Sequence, residues 1–158
     1  MRTKVTALIN DTTGALLAGI HKDQSIKLGC IWGTGCNACY IESFGSIPKV
    51  EQRKYNSTTP MIINCEYGAF GSGLDVLPRT EYDRIVDEES PRPGQQLYEK
   101  LVAGFYSGEI LRLVLVDLID KKHMEIFKEQ DLSHLRTPYV IDAGVLAEIE
   151  RCVPCLRH

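Results

Sequence analysis

Apolar positions along the chain form short runs in its first half and a helical stripe in its second. Val5 to Ile9, "VTALI", is an apolar run closed by Asn10 and Asp11, and it predicts a short buried strand. The next stretch, "DTTGALLAGIHK", opens on a capping residue, Asp11, and spaces Leu16, Leu17 and Ile20 as a helix does. Leu28 to Trp32, Asn37 to Ile41 and Met61 to Cys65 predict further strands, the first two joined by Gly33-Thr34-Gly35 as a hairpin. Residues 45 to 60 are polar and carry Pro48 and Pro60, which reads as an exposed loop. Residues 79 to 92 are charged and predict a short surface helix.

From Pro93 onward Leu97, Leu101, Phe105, Gly108, Leu111, Leu115 and Ile119 lie on one side of a long amphipathic helix, with Pro93 near its first turn. Gly104 and Gly108 cost about 1 kcal/mol each inside a helix. Either they permit close packing or the helix breaks near Gly104. Residues 142 to 150 predict a last short helix. The order of strand, helix, three strands and then helices gives an α/β or α+β class, with a meander whose sheet edge is left open.

Composition narrows the function. The 158 residues suffice for one domain with a sizeable core, and 44% hydrophobic with 25% charged residues is ordinary for a globular chain. A formal net charge of −3 argues against nucleic-acid binding, which needs clustered Lys and Arg. The run from Leu113 to Leu118 is broken by Asp117 and is too short to cross a bilayer. The N-terminus is too short in apolar character for a signal-peptide core, so a cytosolic location and no membrane partner are expected. The sequons at Asn10 and Asn56 matter only in a secreted chain.

Several residues could carry chemistry. Asp11 is read either as a helix cap or as a general base at a strand's carboxyl end. Gly33-Thr34-Gly35 lets backbone and a hydroxyl approach a phosphate, although most such triplets are plain turns. Glu66 reads as a loop acid, and Glu99 falls opposite the apolar stripe, where periodicity makes it solvated. Cys36-x-x-Cys39 and Cys152-x-x-Cys155 formally make a four-cysteine zinc set, but more than a hundred residues separate the pairs. Positions 36 and 39 of a strand also point to opposite faces, which opposes joint ligation. No metal site is assigned.

Taken together, "ALINDTTGALLA", "LGCIWGTGCNACYIE", "MIINCEYGAFG" and "LPRTEYDRIVDEESPRPGQQLYEKLVAGFYSGEILRLVLVDL" resemble eukaryotic hexokinases and glucokinases, fungal members most of all. The resemblance runs from about Val5 to Tyr139. It implies the actin-like, ribonuclease-H-like ATPase fold, an α/β class, with residues 1–150 forming part of the large domain and residues 151–158 an atypical tail. It implies ATP-dependent phosphorylation of a hexose (glucose, with fructose or mannose as alternatives) at the 6-hydroxyl, the first step of glycolysis, with ATP and Mg2+ required. By the same resemblance Asp11 matches the catalytic base. Asn10, Asn37, Glu66 and Glu99 match sugar ligands. Gly33, Thr34 and Gly35 match a phosphate loop facing ATP, and Gly104 and Phe105 fall where the family approaches the nucleotide.

The family's chain is about three times longer. Its first phosphate loop, small-domain sugar contacts and adenosine loop have no counterpart here, and "ERCVPCLRH" departs from its pattern. The expectation is therefore a piece of the large domain, with a non-catalytic hexose-binding or regulatory fragment as the alternative. Oligomeric state is left open.

Overall fold

The computed structural model describes residues 4–50, 56–122 and 130–152. The chain forms two compact units, one built from residues up to Ile31 together with Cys36–Tyr67, the other from Trp32–Gly35 together with the chain from Gly68 onward.

In the first unit the elements are α1 (Asp11–Lys22), β1 (Leu28–Trp32, whose last residue belongs to the second unit), β2 (Cys36–Ser43) and β3 (Pro60–Asn64). The sheet order is β1-β2-β3, and β2 pairs antiparallel with β3 in a register that runs from Cys39 opposite Asn64 to Ser43 opposite Pro60. Helix α1 packs against β2 and β3, burying Thr12 and Leu16. Its polarity suits the helix dipole, with Asp11 in the first turn and His21 and Lys22 in the last. Gly29 on β1 must be glycine, because a Cβ there would stand 2.8 Å from Leu16 Cβ and 2.9 Å from the Thr12 carbonyl oxygen. As the central strand, β2 has both faces covered at its start, so Cys36 and Cys39 are buried although they point to opposite sides.

Three expectations change in this unit. Residues 5–9 form no strand: Val5, Leu8 and Ile9 are exposed, and among the described residues no neighbouring strand supplies the ladder that a strand needs. The cap of α1 is Asn10 rather than Asp11; the Asn10 side chain accepts the Thr12 N–H, and Asp11 is the first helical residue. The loop after β2 is anchored at both ends. Buried Phe44 donates its N–H to the Thr59 carbonyl and Gly45 to that of Ser57, which continues the β2–β3 pairing. Residues 51–55 of that loop lie outside the described residues.

The second unit contains α2 (Glu81–Glu89), α3 (Leu97–Val102), α4 (Gly104–Lys122) and α5 (Ala143–Cys152), with α2, α3 and α5 all packed on α4. Helix α2 starts with a capping box in which Thr80 and Asp83 satisfy each other's backbone N–H groups. It is not a surface helix throughout, since Val86 and Asp87 are buried.

The long helical stripe breaks in two at Ala103, whose extended ψ of 147° ends α3. The Gly104 N–H is spent outside the helix, on the Gly33 carbonyl at 2.8 Å, so the ladder cannot continue through it. The stripe also fails to mark the deepest positions. On α4 the most buried large side chains are Glu109 and Arg112, which form a bidentate pair; Arg112 also donates to the Leu135 carbonyl, and Glu109 accepts the Tyr139 N–H. Phe105, counted on the apolar stripe, is half exposed. Gly108 is where α4 meets the chain at Ile141, and a Cβ there would collide with the Ile141 carbonyl. Among the described residues no helix is long and apolar enough to cross a membrane.

These two glycines give a direct test of the packing. Gly29→Ala and Gly108→Ala are each expected to destabilise the protein by about 1–3 kcal/mol through overpacking, read from denaturant midpoints. Midpoints equal to that of the parent protein would contradict the close approaches at Leu16 and Ile141.

Candidate functional site

In the first unit the β2–β3 register assembles a polar cluster. Extending the Cys39–Asn64 pairing by two residues sets Asn37 opposite Glu66, just past the end of β3. Asn37 Nδ2 donates to Asn64 Oδ1 at 2.8 Å and to Glu66 Oε1 at 3.3 Å, and Asn64 Nδ2 donates to the same Glu66 oxygen at 2.6 Å. Asn37 Oδ1 accepts the Glu66 N–H at 3.0 Å and the Ala38 N–H at 2.8 Å. Glu66 sits at φ +49°, a left-handed conformation that costs a non-glycine residue about 1–2 kcal/mol. The bond to Asn37 holds it there and turns its exposed side chain back over the sheet end. Glu66 Oε2 carries no hydrogen bond among the described residues.

Asn10 and Asp11 stand at the N-terminus of α1 in the same unit. Asn10 Oδ1 accepts from both the backbone N–H and the hydroxyl of buried Thr12, and Asp11 Oδ1 accepts the Thr12 N–H at 2.8 Å. Thr12 thereby fixes both side chains, while the Asp11 carboxylate stays exposed at a helix end that favours negative charge. In the same unit Tyr67 has its hydroxyl 3.9 Å from Cys30 Sγ; loss of water and the hydrogen bonds to Cys30 and Cys36 push its pKa well above the usual phenol range.

The remaining residues belong to the second unit. The turn at 32–35 closes with a 2.9 Å bond from the Gly33 N–H to the Gly35 carbonyl. Three bonds tie it to the α3–α4 junction: Trp32 Nε1 to the Val102 carbonyl at 3.1 Å, the Gly104 N–H to Gly33, and the Phe105 N–H to Thr34 at 3.3 Å. Gly104 allows this approach, as a Cβ would come within 3.1 Å of the Gly33 carbonyl. Above the junction lies a cavity of about 590 Å³ lined by Thr34, Gly33, Trp32, Gly104 and Phe105 among others.

Glu99 is half-buried rather than solvated. On the short α3 it sits between buried Leu97 and Lys100, with its carboxylate against Gly35, where a Cβ would be 2.6 Å from Oε2. It lines a second cavity, of about 270 Å³, with Gln96 and Tyr106. Burial, with the Glu99 charge second, raises the Tyr106 pKa. Gln96, at φ +54°, carries a buried Oε1 without a partner.

Sequence reasoning missed Asn64 and Gln96. A pointer to Asn64 was available, since it lies two residues before Glu66 near the end of the apolar run Met61–Cys65. Gln96 depends on a left-handed backbone that no pattern marks. Among the described residues no group of three or more His, Cys, Asp or Glu is placed to hold a metal ion. Cys36 and Cys39 belong to the first unit, Cys152 ends α5 in the second, and Cys155 lies outside the described residues.

A family model described as hexokinase matches residues 27–154. The hexokinase of Emericella nidulans is 55% identical over 147 residues, which cover 93% of this chain and 30% of that protein. That of Schwanniomyces occidentalis is 51% identical over 150 residues, 93% of this chain and 31% of its own. A solved hexokinase from Schistosoma mansoni, complexed with glucose, superposes with a TM-score of 0.79 at 36% identity, covering 92% of this chain and 32% of that one. The chain belongs to the hexokinase family, and its helices and three-stranded sheet are part of that family's α/β fold. It spans about 30% of the length of the curated relatives it matches.

The contact at Gly35 yields a prediction. Gly35→Ala is expected to displace the Glu99 carboxylate while the cluster around Glu66 keeps its bonds. In amide spectra, resonances near Glu99 and Tyr106 should shift and those of Asn37 and Asn64 should hold. An unmoved Glu99 region would contradict the contact.

Proposed function

We propose that this chain supplies the hexose-binding and proton-accepting part of an enzyme that phosphorylates a hexose at its 6-hydroxyl at the expense of ATP. The observation that carries the reading is the hydrogen-bonded set Asn37, Asn64 and Glu66, in a chain that belongs to the hexokinase family. A hexose is neutral and rich in hydroxyls. Amide and carboxylate groups already fixed by one another meet those hydroxyls with directional bonds and reject analogues lacking one.

On this reading Asn10 and Asn37 donate to and accept from sugar hydroxyls, and the Glu66 and Glu99 carboxylates accept from them. Asp11 takes the proton of the attacking 6-hydroxyl; its second oxygen is the one available for this, since Oδ1 holds the Thr12 N–H. Gly33, Thr34 and Gly35, with Gly104 and Phe105, face the nucleotide from the cavity that they line or adjoin. The fit is one of shape: glycine walls admit close backbone approach, and half-exposed Phe105 offers an apolar ring face. Magnesium, when bound, neutralises charge on the nucleotide phosphates. Residues 1–150 then form part of the family's large domain.

A second reading, resting on the same hydrogen-bonded set, is a non-catalytic hexose-binding or regulatory fragment. Asp11→Ala separates the two. Under the enzyme reading it is expected to lower turnover about 100-fold or more, the usual worth of a general base, while glucose affinity changes little. A coupled assay of glucose-dependent ADP formation, with calorimetry for the sugar, measures both. Equal losses of turnover and affinity would remove Asp11 from the role of base, and absence of turnover with retained glucose binding would leave the fragment reading.

A further inference from the structure

The second unit buries an ion pair beside Glu99 that none of the roles above uses. Asp87 of α2 and Lys100 of α3 are 8% and 5% exposed, and Lys100 Nζ lies 2.6 Å from Asp87 Oδ1. Lys100 also donates to the Arg92 carbonyl at 2.8 Å. The two Asp87 oxygens accept the Gly94 N–H at 3.0 and 3.1 Å, and Ser90 Oγ donates to the Asp87 carbonyl at 2.7 Å. Arg79 Nη1 stands 3.9 Å from Asp87 Oδ2. One carboxylate thus ties down the connection from α2 to α3 and, through Lys100, α3 itself.

What it ties down is the segment that presents Gln96 and Glu99. Helix α3 has only six residues, too few to hold its own shape, so its position is set by tertiary bonds. A buried ion pair adds little net stability over apolar residues of the same size. Its effect here is geometric, because a lysine pinned at both the side-chain and loop ends fixes the helix turn that carries its neighbour Glu99. A displacement of about 1 Å at such a group is enough to weaken a directional site.

We infer that the Asp87–Lys100 pair is a positioning device for the hexose subsite, holding Glu99 and the Gln96 amide at the cavity they share. The inference rests on the hexose reading of Glu99. The test is Asp87→Asn in the purified protein, followed by hydrogen–deuterium exchange and by glucose titration calorimetry. Exchange should rise at residues 94–100 and stay unchanged in the middle of α4. The glucose Kd should rise about tenfold, as expected for a misplaced directional contact. Lys100→Arg with Asp87 intact, which keeps the charge pair, should retain most of the parent protein's affinity.

Unchanged exchange at 94–100 would overturn the clamp. Raised exchange with an unaltered glucose Kd would reduce the pair to a structural one and overturn its role at the subsite. If Asp87→Asn does not fold, Asp87→Asn combined with Lys100→Met removes both charges together and carries the same comparison. If the parent protein binds no glucose, the hexose reading fails on its own, and the exchange data still judge the clamp.

Discussion

The antiparallel register between β2 and β3 is the constraint on which the candidate site depends. Pairing Cys39 with Asn64 sets Asn37 opposite Glu66. A slip of one residue would put every side chain on the other face and dissolve the cluster. The register is held from both ends. Buried Phe44 and its turn fix it at Ser43–Pro60, and the Glu66 N–H bond to Asn37 fixes it beyond Asn64. The strained backbone of Glu66 is part of the same arrangement, since only a turned-back residue can offer its carboxylate to two asparagines of the sheet.

The second unit works by a different device, the close approach of backbone to backbone. Glycine at 104 lets the turn at 32–35 dock on the α3–α4 junction, glycine at 35 makes room for the Glu99 carboxylate, and the docking consumes the Gly104 N–H. A long helix is thereby cut into two, and the cut leaves Glu99 on a short helix whose position is decided by buried charges. The buried Glu109–Arg112 pair plays a comparable part further along, where it anchors the chain at Leu135 and Tyr139 to α4.

Much of this was legible in the sequence, and for identifiable reasons. The apolar runs mark β1, β2 and β3, and helical spacing marks α1, which buries Leu16 against the sheet. The glycine cost at Gly104 announced the helix break as one of two outcomes. Residues 5–9 misled because apolar composition cannot report whether a partner strand is present. The stripe from Leu97 to Ile119 misled because the deepest positions of α4 are a charged pair, which periodicity counts as surface. Periodicity puts Glu99 in solvent for the same reason: its neighbour Lys100 is buried through a bond to Asp87, thirteen residues earlier in another helix. The grouping of Asn37 with Glu66 followed from family resemblance alone, and Asn64, which joins them, was missed by both routes.

The central claim is that the side-chain amides at the β2–β3 end meet a hexose directly. The most direct measurement follows the side-chain NH2 resonances of Asn37 and Asn64 while glucose is added, each assigned through its Asn→Asp variant. Saturable shifts of both, with a common Kd, are the expected result. Resonances that stay in place while glucose binds elsewhere on the protein would contradict it.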